Sequence, residues 1–496
     1  MKHIVIIGGG ITGLAAAHRV LERSRELDAK VQLTLLEAGS RLGGIVQTHE
    51  RDGFLLESGP DSFISEKPAA LELARRLGLE SHLIETNENH RRSFIVRQGR
   101  LLPVPVGFHL LAPSRFWPFV KSNIFSPGGK ARMALDLIIP RRQLNGSADS
   151  VEESLAQFVR RRLGREALER MAQPMIGGIY TADPEQLSLR ATMPRFLEME
   201  RQHGSLIRAL RKQNRSATVR EGSGTAEGTS GARYSLFLSF DCGMQLLTDK
   251  LAGRILNFNF HNSDSDASDQ PSIRVNTRVE SIMLQREESK KWKIKTDQNE
   301  TLFADAVCLA LPAYVSARLL SSVDARLASE LAGISYASSA TINLAYKRED
   351  IPHPLDGFGF VVPFIEKRTV MACTFSSVKF PGRAPQGHAL LRAFVGGALQ
   401  PELFNLTPDQ LLSRVREDLR VLLRIERAPL FAEVTRWERS MPQYHVGHLE
   451  RLKRIDERIA LLPGLTLAGN AYTGLGIPDC IRSGEVAAEV LAADLR

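Results

Sequence analysis

The residues best able to do chemistry stand near the two ends of the chain. Gly8, Gly9, Gly10, Ile11, Thr12 and Gly13 spell G-x-G-x-x-G directly after the apolar run 3–7. In this spacing Gly8 permits a tight turn, Gly10 lets the backbone approach a pyrophosphate, and Gly13 lets helix and strand pack closely. The helix that follows points its positive end at the phosphates. A second strand, 31–37, ends in Glu37, where a carboxylate can accept hydrogen bonds from both hydroxyls of a ribose. At the other end, residues 467–484 read as a strand, a loop with Gly469, Gly474 and Gly476, and a helix entered through Ile477 and Asp479. A helix start offers free N–H groups and partial positive charge to an electron-rich ligand edge. Either segment alone is explained by a glycine turn or a helix cap. Together they predict a bound dinucleotide.

The stretch after Glu37 narrows the choice. Ala38-Gly39-Ser40-Arg41-Leu42-Gly43-Gly44 resembles the second phosphate-contacting segment of the two-dinucleotide-binding flavoproteins. The resemblance implies FAD. It gives Arg41 to the cofactor phosphates and leaves room for the cofactor at Gly43 and Gly44. The C-terminal helix start then suits the N1–C2=O edge of the flavin, with Asp479 by the ribityl chain.

These residues need elements to hold them. The strand 3–7, the helical pattern from Ile11 to Leu21 and the strand 31–37 form one βαβ unit. Helices are expected at 66–79, 150–163, 165–175, 191–210, 243–254, 408–423 and 481–494. Phe94-Ile95-Val96 against 101–104 reads as a hairpin turning at Gln98-Gly99. Strands are expected at 272–282, 291–296, 306–310, 340–346, 359–362, 369–375, 389–395 and 465–468. Residues 212–232 and 262–272 are polar, Gly/Ser-rich or acidic, and read as loops. The fold class is α/β, α+β overall: a Rossmann-like dinucleotide domain, a mixed-sheet domain and a helical domain.

Composition excludes several classes. With 496 residues, 43% hydrophobic and 24% charged, the chain has the makings of two to four folded domains rather than disorder. The formal charge of +9 favours an anionic partner. Arginines are scattered and no nucleic-acid module is present, so no nucleic acid is expected. Cys242, Cys308, Cys373 and Cys480 are too far apart in sequence for a zinc set or a disulfide framework, so no metal is expected. No leader segment and no eighteen-residue apolar run is evident, which predicts a cytoplasmic protein.

Two further segments carry a family resemblance. Glu57-Ser58-Gly59-Pro60-Asp61-Ser62-Phe63 is similar to the E-x-G-P-x-x-F stretch of the haem-pathway porphyrinogen oxidases. So are the run from Trp437 to His448, with Pro442-Gln443-Tyr444 and Gly447-His448, and the C-terminal glycine segment. The match to the protoporphyrinogen and coproporphyrinogen III oxidases extends end to end. It implies an amine-oxidase-like architecture, with an FAD domain from 1–90, 233–312 and 436–496. A substrate domain would take 91–107 and 313–435, and a helical domain 108–211. The implied reaction is a six-electron oxidation of a porphyrinogen, with O₂ as acceptor and hydrogen peroxide released.

The same resemblance assigns Gly59, Pro60, Asp61, Ser62, Val279 and Trp437 to FAD, with Val279 at the adenine. It assigns Arg92 to a substrate propionate, with Phe358 and Phe360 as candidates to face the macrocycle and core packing as the alternative. No side chain stands out as a general base, and the catalytic residues stay unassigned. The aromatic run 108–120, flanked by Arg115 and Lys121, reads either as a peripheral membrane patch on the cytoplasmic face or as a channel wall. Handover of product to a haem-pathway chelatase and a homodimer are compatible with the resemblance. Competing readings are an amine oxidase or carotenoid desaturase of the same architecture, and a non-catalytic flavoprotein partner of the haem pathway.

Overall fold

The structure, a computed structural model, describes residues 1–109, 111–142, 152–220, 237–258, 270–285 and 291–493. Its first sheet has five parallel strands in the order Ser272–Arg274, Val31–Leu36, Lys2–Ile7, Ala306–Leu309 and Leu465–Leu467. These strands are runs of apolar residues because both faces of a parallel sheet are covered. Ile4 and Ile6 enter the core under helices Ile11–Glu26, Gln245–Leu256 and Ile477–Ala492. Val5 and Ile7 enter the opposite core, beneath the meander Val279–Leu284, Trp292–Thr296 and Thr301–Ala304. Helices Ile11–Glu26 and Ile477–Ala492 touch backbone to backbone, since a Cβ on Gly484 would stand 2.2 Å from the Thr12 carbonyl oxygen. The chain thus joins its two glycine segments in one layer.

The second sheet has seven strands in the order Phe431–Pro442, Tyr336–Lys347, His388–Gly396, Val370–Phe375, Gly359–Val361, Phe94–Arg97 and Arg100–Pro103. It is mixed: Gly359–Val361 runs parallel to Phe94–Arg97, and the other neighbours are antiparallel. Residues opposite one another share a face. Ile342, Ala393, Cys373 and Phe360 turn to the face covered by helix Pro408–Leu423, forming one core. That helix opens with Thr407 and Gln410 in a reciprocal capping box, which fixes its start. Thr341, Asn343, Phe394, Arg392, Ala372 and Val361 turn to the other face. There Ile95 and Val361 join a third core of helices, built on Phe125, Phe158, Met171, Phe196 and Leu206.

Several elements differ from expectation. The helical stretch 191–210 is three helices, Leu189–Thr192, Pro194–His203 and Leu206–Arg220, broken at Pro194 and at Gly204 with φ +67°. The last runs into the expected loop 212–232, because the residues before Gly222 are Lys, Gln, Arg and Ala among tolerated Ser and Thr, with no Gly or Pro to stop it. The expected strand 272–282 is two strands, parted where Asn276 takes φ +51°. The C-terminal helix begins at Ile477 rather than 481, since Pro478 is tolerated in a first turn. Residues 66–79 hold a shorter helix, Ala69–Arg76, and the 165–175 pattern stays helical to Tyr180 through a π turn at Leu168–Ala172. The strand Phe431–Pro442, which spans the expected boundary at 436, has no apolar alternation to announce it.

The aromatic run 108–120 divides. Phe108, Leu111 and Phe119 are core, whereas Phe116 and Trp117 are 54% and 68% exposed. Leu110, the loop residues 221–232 and 262–269, residues 150–151 and Asp494 lie outside the described residues. Among the described residues no helix is long and apolar enough to cross a membrane.

Candidate functional site

Helix Ile11–Glu26 has Gly10 as its N-cap and no capping side chain, and its first turn carries no acid. Its first N–H groups are therefore left to an anion. Glu37 stands at this helix start. One carboxylate oxygen accepts from the Gly9 N–H at 2.6 Å and the other from the Gly39 N–H at 2.7 Å. Each oxygen keeps further lone-pair capacity for a hydroxyl. The backbone of Glu37 also bonds Arg274 and Thr277, both at 2.8 Å, which brings the strand of Val279 alongside. Arg41 folds back on its own turn. Its Nη1 donates to the carbonyls of Leu42 and Val46 at 2.9 and 3.0 Å, and its Nη2 to Gly44. The guanidinium thus braces the turn that holds Gly43 and Gly44. A Cβ on Gly10 would meet only Gly44 Cα, at 3.9 Å, and one on Gly44 would stand 3.2 Å from Gly10 Cα, so these two glycines lie close together with bare backbone.

The segment from Glu57 to Ser62 lies against this turn, for a Cβ on Gly59 would stand 1.7 Å from the Ile45 carbonyl oxygen. The seven-stranded sheet grips it from the other side. The Ser58 carbonyl accepts from the Thr341 hydroxyl at 2.8 Å, Trp437 Nε1 at 3.0 Å and Arg392 Nη2 at 3.5 Å. Arg392 Nη2 also bonds the Gly59 carbonyl, and Asn343 Nδ2 bonds that of Glu57 at 3.1 Å. Asp61 accepts from Lys379 Nζ with both oxygens at 3.0 Å and from the Ser62 hydroxyl at 2.8 Å. Burial would raise the Asp61 carboxyl, but Lys379 and Arg392 outweigh it and hold it below the ordinary carboxylate range. Burial pushes the Glu57 carboxyl up, against hydrogen bonds from Thr48 and the Met244 N–H. Thr341, Asn343, Lys379 and Arg392 were invisible as site residues in the sequence. The one local signal is Arg392, a single charge within an apolar strand.

The C-terminal glycines complete the ground. Leu311 lies 3.2 Å from the Cβ position of Gly8, and its carbonyl oxygen 3.8 Å from that of Gly469. Gly469 and Gly474 have φ +140° and +144°, where a side chain is strained. Asp479, expected by the ribityl chain, also caps the last helix: one carboxylate oxygen accepts from the Gly476 N–H at 3.2 Å, and both accept from Lys67 Nζ at 2.7 Å. Tyr444 stacks on His448 at 4.2 Å, and its hydroxyl donates to the Asn470 carbonyl at 2.5 Å, steadying the loop.

The expected substrate residues separate. Arg92, half exposed, pairs with Asp356 at 3.2 Å, and its carbonyl accepts the Phe358 N–H at 2.8 Å. Phe360 is a core residue on the far face, 6.1 Å from Phe375 between ring centres. Its parity in the strand turns it away from Arg392 and Trp437; Val361 and Phe394 take the near face instead. Phe358 is likewise buried. A small cleft of about 30 Å³ lies between helix Gln173–Tyr180 and the sheet, lined by Pro174, Gly177, Gly178, Val362, Val370 and Gly396. A larger one, of about 400 Å³, is lined by Asp183, Tyr336, Ser338, Glu438, Gln443 and His445, and both reach Ala398.

Residues 11–492 match the family model described as flavin containing amine oxidoreductase. The chain belongs to that family. Within it, the chain resembles porphyrinogen oxidases along its whole length. It is 35% identical over 487 residues to the coproporphyrinogen III oxidase of Bacillus subtilis (strain 168), covering 98% of this chain and 97% of the relative. It is 30% identical to the chloroplastic protoporphyrinogen oxidase of Nicotiana tabacum, covering 98% and 85%. A crystal structure from Exiguobacterium sp. 255-15, provisionally described as a protoporphyrinogen oxidase, superposes with TM-score 0.83 at 31% identity over 99% of both chains. Reduced UDP-galactopyranose mutase shares the fold alone, with TM-score 0.69 at 16% identity, covering 99% and 94%. FAD is the cofactor of this family member, and the residues present fit it. The uncapped helix start suits a pyrophosphate, and the bare backbone of Gly10 leaves it a close approach, since a Cβ there would meet nothing nearer than 3.9 Å.

His448 gives this site a pH signature. Burial lowers its pKa from 6.5 to about 4, against a backbone hydrogen bond with Ala471. Between those values the unfolded chain binds the proton and the folded chain does not, so stability rises with pH. His448→Gln removes this contribution. Its melting temperature should fall less between pH 6.5 and 4 than that of the parent; an equal fall would show that His448 is not buried in its neutral form.

Proposed function

We propose that this chain is an FAD-dependent coproporphyrinogen III oxidase. It would convert coproporphyrinogen III to coproporphyrin III in three two-electron dehydrogenations, with O₂ as final acceptor and hydrogen peroxide released. The observation that carries the reading is the end-to-end similarity to bacterial coproporphyrinogen III oxidases, 35% and 32% identical over 98% and 100% of this chain. The plant proteins called protoporphyrinogen oxidase reach 30% or less. Protoporphyrinogen IX is the second reading, favoured by the name of the Exiguobacterium structure.

In this reading the chain divides as its sequence suggests: 1–90, 233–312 and 436–496 hold FAD, 91–107 and 313–435 face the substrate, and 108–211 form the helical layer. The strand Phe431–Pro442 belongs with the substrate sheet it pairs with. The N–H groups of Ile11, Thr12 and Gly13 hold the pyrophosphate, with Gly8, Gly9, Gly10, Gly43 and Gly44 giving it access. Glu37 holds the adenosine ribose, Arg41 steadies the phosphate turn, and Val279 meets the adenine. Gly59, Pro60, Asp61 and Ser62, fixed by Trp437, form one wall of the flavin site. Gly469, Gly474, Gly476 and Ile477 form another, with Asp479 shaping it through the helix cap. Bound FAD supplies the two-electron acceptor for each dehydrogenation. The protein's own work is to hold the macrocycle against the seven-stranded sheet, and to keep water away from the reacting carbon. Arg92 is poised for a propionate, because its partner Asp356 is partly exposed and exchangeable. No side chain is placed as a general base; the pyrrole proton leaves to water or a backbone carbonyl.

The exposed Phe116 and Trp117, flanked by Arg115 and Lys121, support peripheral contact with an anionic membrane. Sedimentation with anionic vesicles should carry the parent down and leave much of the Phe116→Ser, Trp117→Ser double variant in solution. Equal sedimentation of the two would place the contact elsewhere or nowhere. The substrate reading is tested by kcat/KM for the two porphyrinogens, followed as porphyrin fluorescence. Coproporphyrinogen III should be preferred by about tenfold or more, the worth of one well-placed extra charge pair. A preference for protoporphyrinogen IX would install the second reading. Turnover of an amine with neither tetrapyrrole oxidised would overturn both.

A further inference from the structure

Arg392 and Arg383 are 3% and 2% exposed. A buried guanidinium is ordinarily matched by a carboxylate. Among the described residues neither has a carboxylate oxygen within ion-pair distance. Arg392 donates only to the carbonyls of Ser58 and Gly59 and lies 4.8 Å from the Phe394 ring centre; its Nε is buried with no partner. Arg383 donates to the carbonyls of Phe240 and Asp241 and to the Ser239 hydroxyl. The Ser239 hydroxyl in turn donates to the Asp61 carbonyl at 2.7 Å, so both cations are tied to the same segment. The nearby acids act on them only through space. Asp61 is paired directly with Lys379, and Glu57 is hydrogen-bonded to the Thr48 hydroxyl and the Met244 N–H. Carbonyl dipoles satisfy the N–H groups of a guanidinium but do not cancel its unit charge. The wall formed by Gly59 to Ser62 is therefore backed by a buried guanidinium, Arg392, that no carboxylate touches among the described residues.

We infer that Arg392 is a positioning residue for the Gly59–Pro60 peptide, and that its charge, resting on carbonyls rather than on a carboxylate, stabilises the reduced, anionic flavin held against that wall. The inference rests on the proposal that Gly59 to Ser62 lines the flavin. Its consequence is a more positive reduction potential than the same wall would give without the charge. That favours withdrawal of hydride from a neutral macrocycle. Arg392 does not reach the substrate: it acts through the Gly59 carbonyl and through its field.

The test uses the FAD-loaded protein and its Arg392→Met and Arg392→Lys variants. The readouts are the flavin potential, by equilibration with a reference dye, and the dissociation constant for sulfite, an anion that adds to oxidised flavins. Arg392→Met should shift the potential negative and weaken sulfite binding by about tenfold or more, the effect of one unit charge several ångströms away at the effective dielectric of a protein interior. Arg392→Lys keeps the charge and loses the forked contact, so its potential should stay near the parent's. An unchanged potential and sulfite constant in Arg392→Met overturns the inference. So does an equal loss in both variants, because charge would then not be the agent. These readouts need no turnover. A flavin-loaded protein inert toward porphyrinogens would overturn the proposed reaction and leave the inference to the potentials. A chain that binds no flavin would overturn both.

Discussion

The carbonyl oxygen of Ser58 receives hydrogen bonds from side chains on three strands of one sheet: Thr341, Trp437 and Arg392. The peptide that carries it packs on the other side against Ile45, in the turn that follows the first βαβ unit. This stretch is a central junction between the two halves of the molecule, beside contacts such as those of His49 and Arg51 with Glu433. The parallel sheet supplies the helix start, Glu37 and the C-terminal glycines, and the seven-stranded sheet supplies the grip. A buried peptide carbonyl without partners costs about 1–3 kcal/mol, so these contacts favour the observed relation of the two halves. The interleaved chain order enforces the same result. The parallel sheet takes strands from residues 2–7, 31–36, 272–274, 306–309 and 465–467, and the second sheet is threaded between them.

Charge around the junction is unevenly shared. Lys379 pairs directly with Asp61, burial pushes the Glu57 carboxyl up, and two guanidiniums rest on carbonyls rather than on carboxylates. On the proposed reading such a site would work by position and field rather than by a titrating side chain. The belonging to a flavin-dependent family explains why such a field is useful: an acceptor that becomes anionic needs a positive neighbour.

What could be read from the sequence follows the range of the interactions involved. The dinucleotide motif was legible because Gly8 to Gly13, Glu37 and Arg41 lie within one supersecondary unit, where spacing fixes geometry. Helix Pro408–Leu423 was legible to the residue because its cap is local. The grip on Ser58 was not, since it depends on the register of strands more than 280 residues away in sequence from Ser58. The same register decides that Phe360 faces the core and Val361 the near face, a parity that an isolated Gly-Phe-Gly-Phe does not reveal. Helix Leu206–Arg220 outran expectation because polar composition was read as loop, although Lys, Gln and Arg are good helix formers. The family segments from Glu57 to Phe63 and from Trp437 to His448 were recognised by resemblance. Their physical role in joining the two sheets became visible only with the contacts in view.

The most direct test of the account is anaerobic mixing of the flavin-loaded protein with coproporphyrinogen III while flavin absorbance is recorded. Bleaching of the flavin, with tetrapyrrole absorbance developing at the same rate, is the result the account predicts. Flavin left oxidised by the porphyrinogen but bleached by an amine would contradict it.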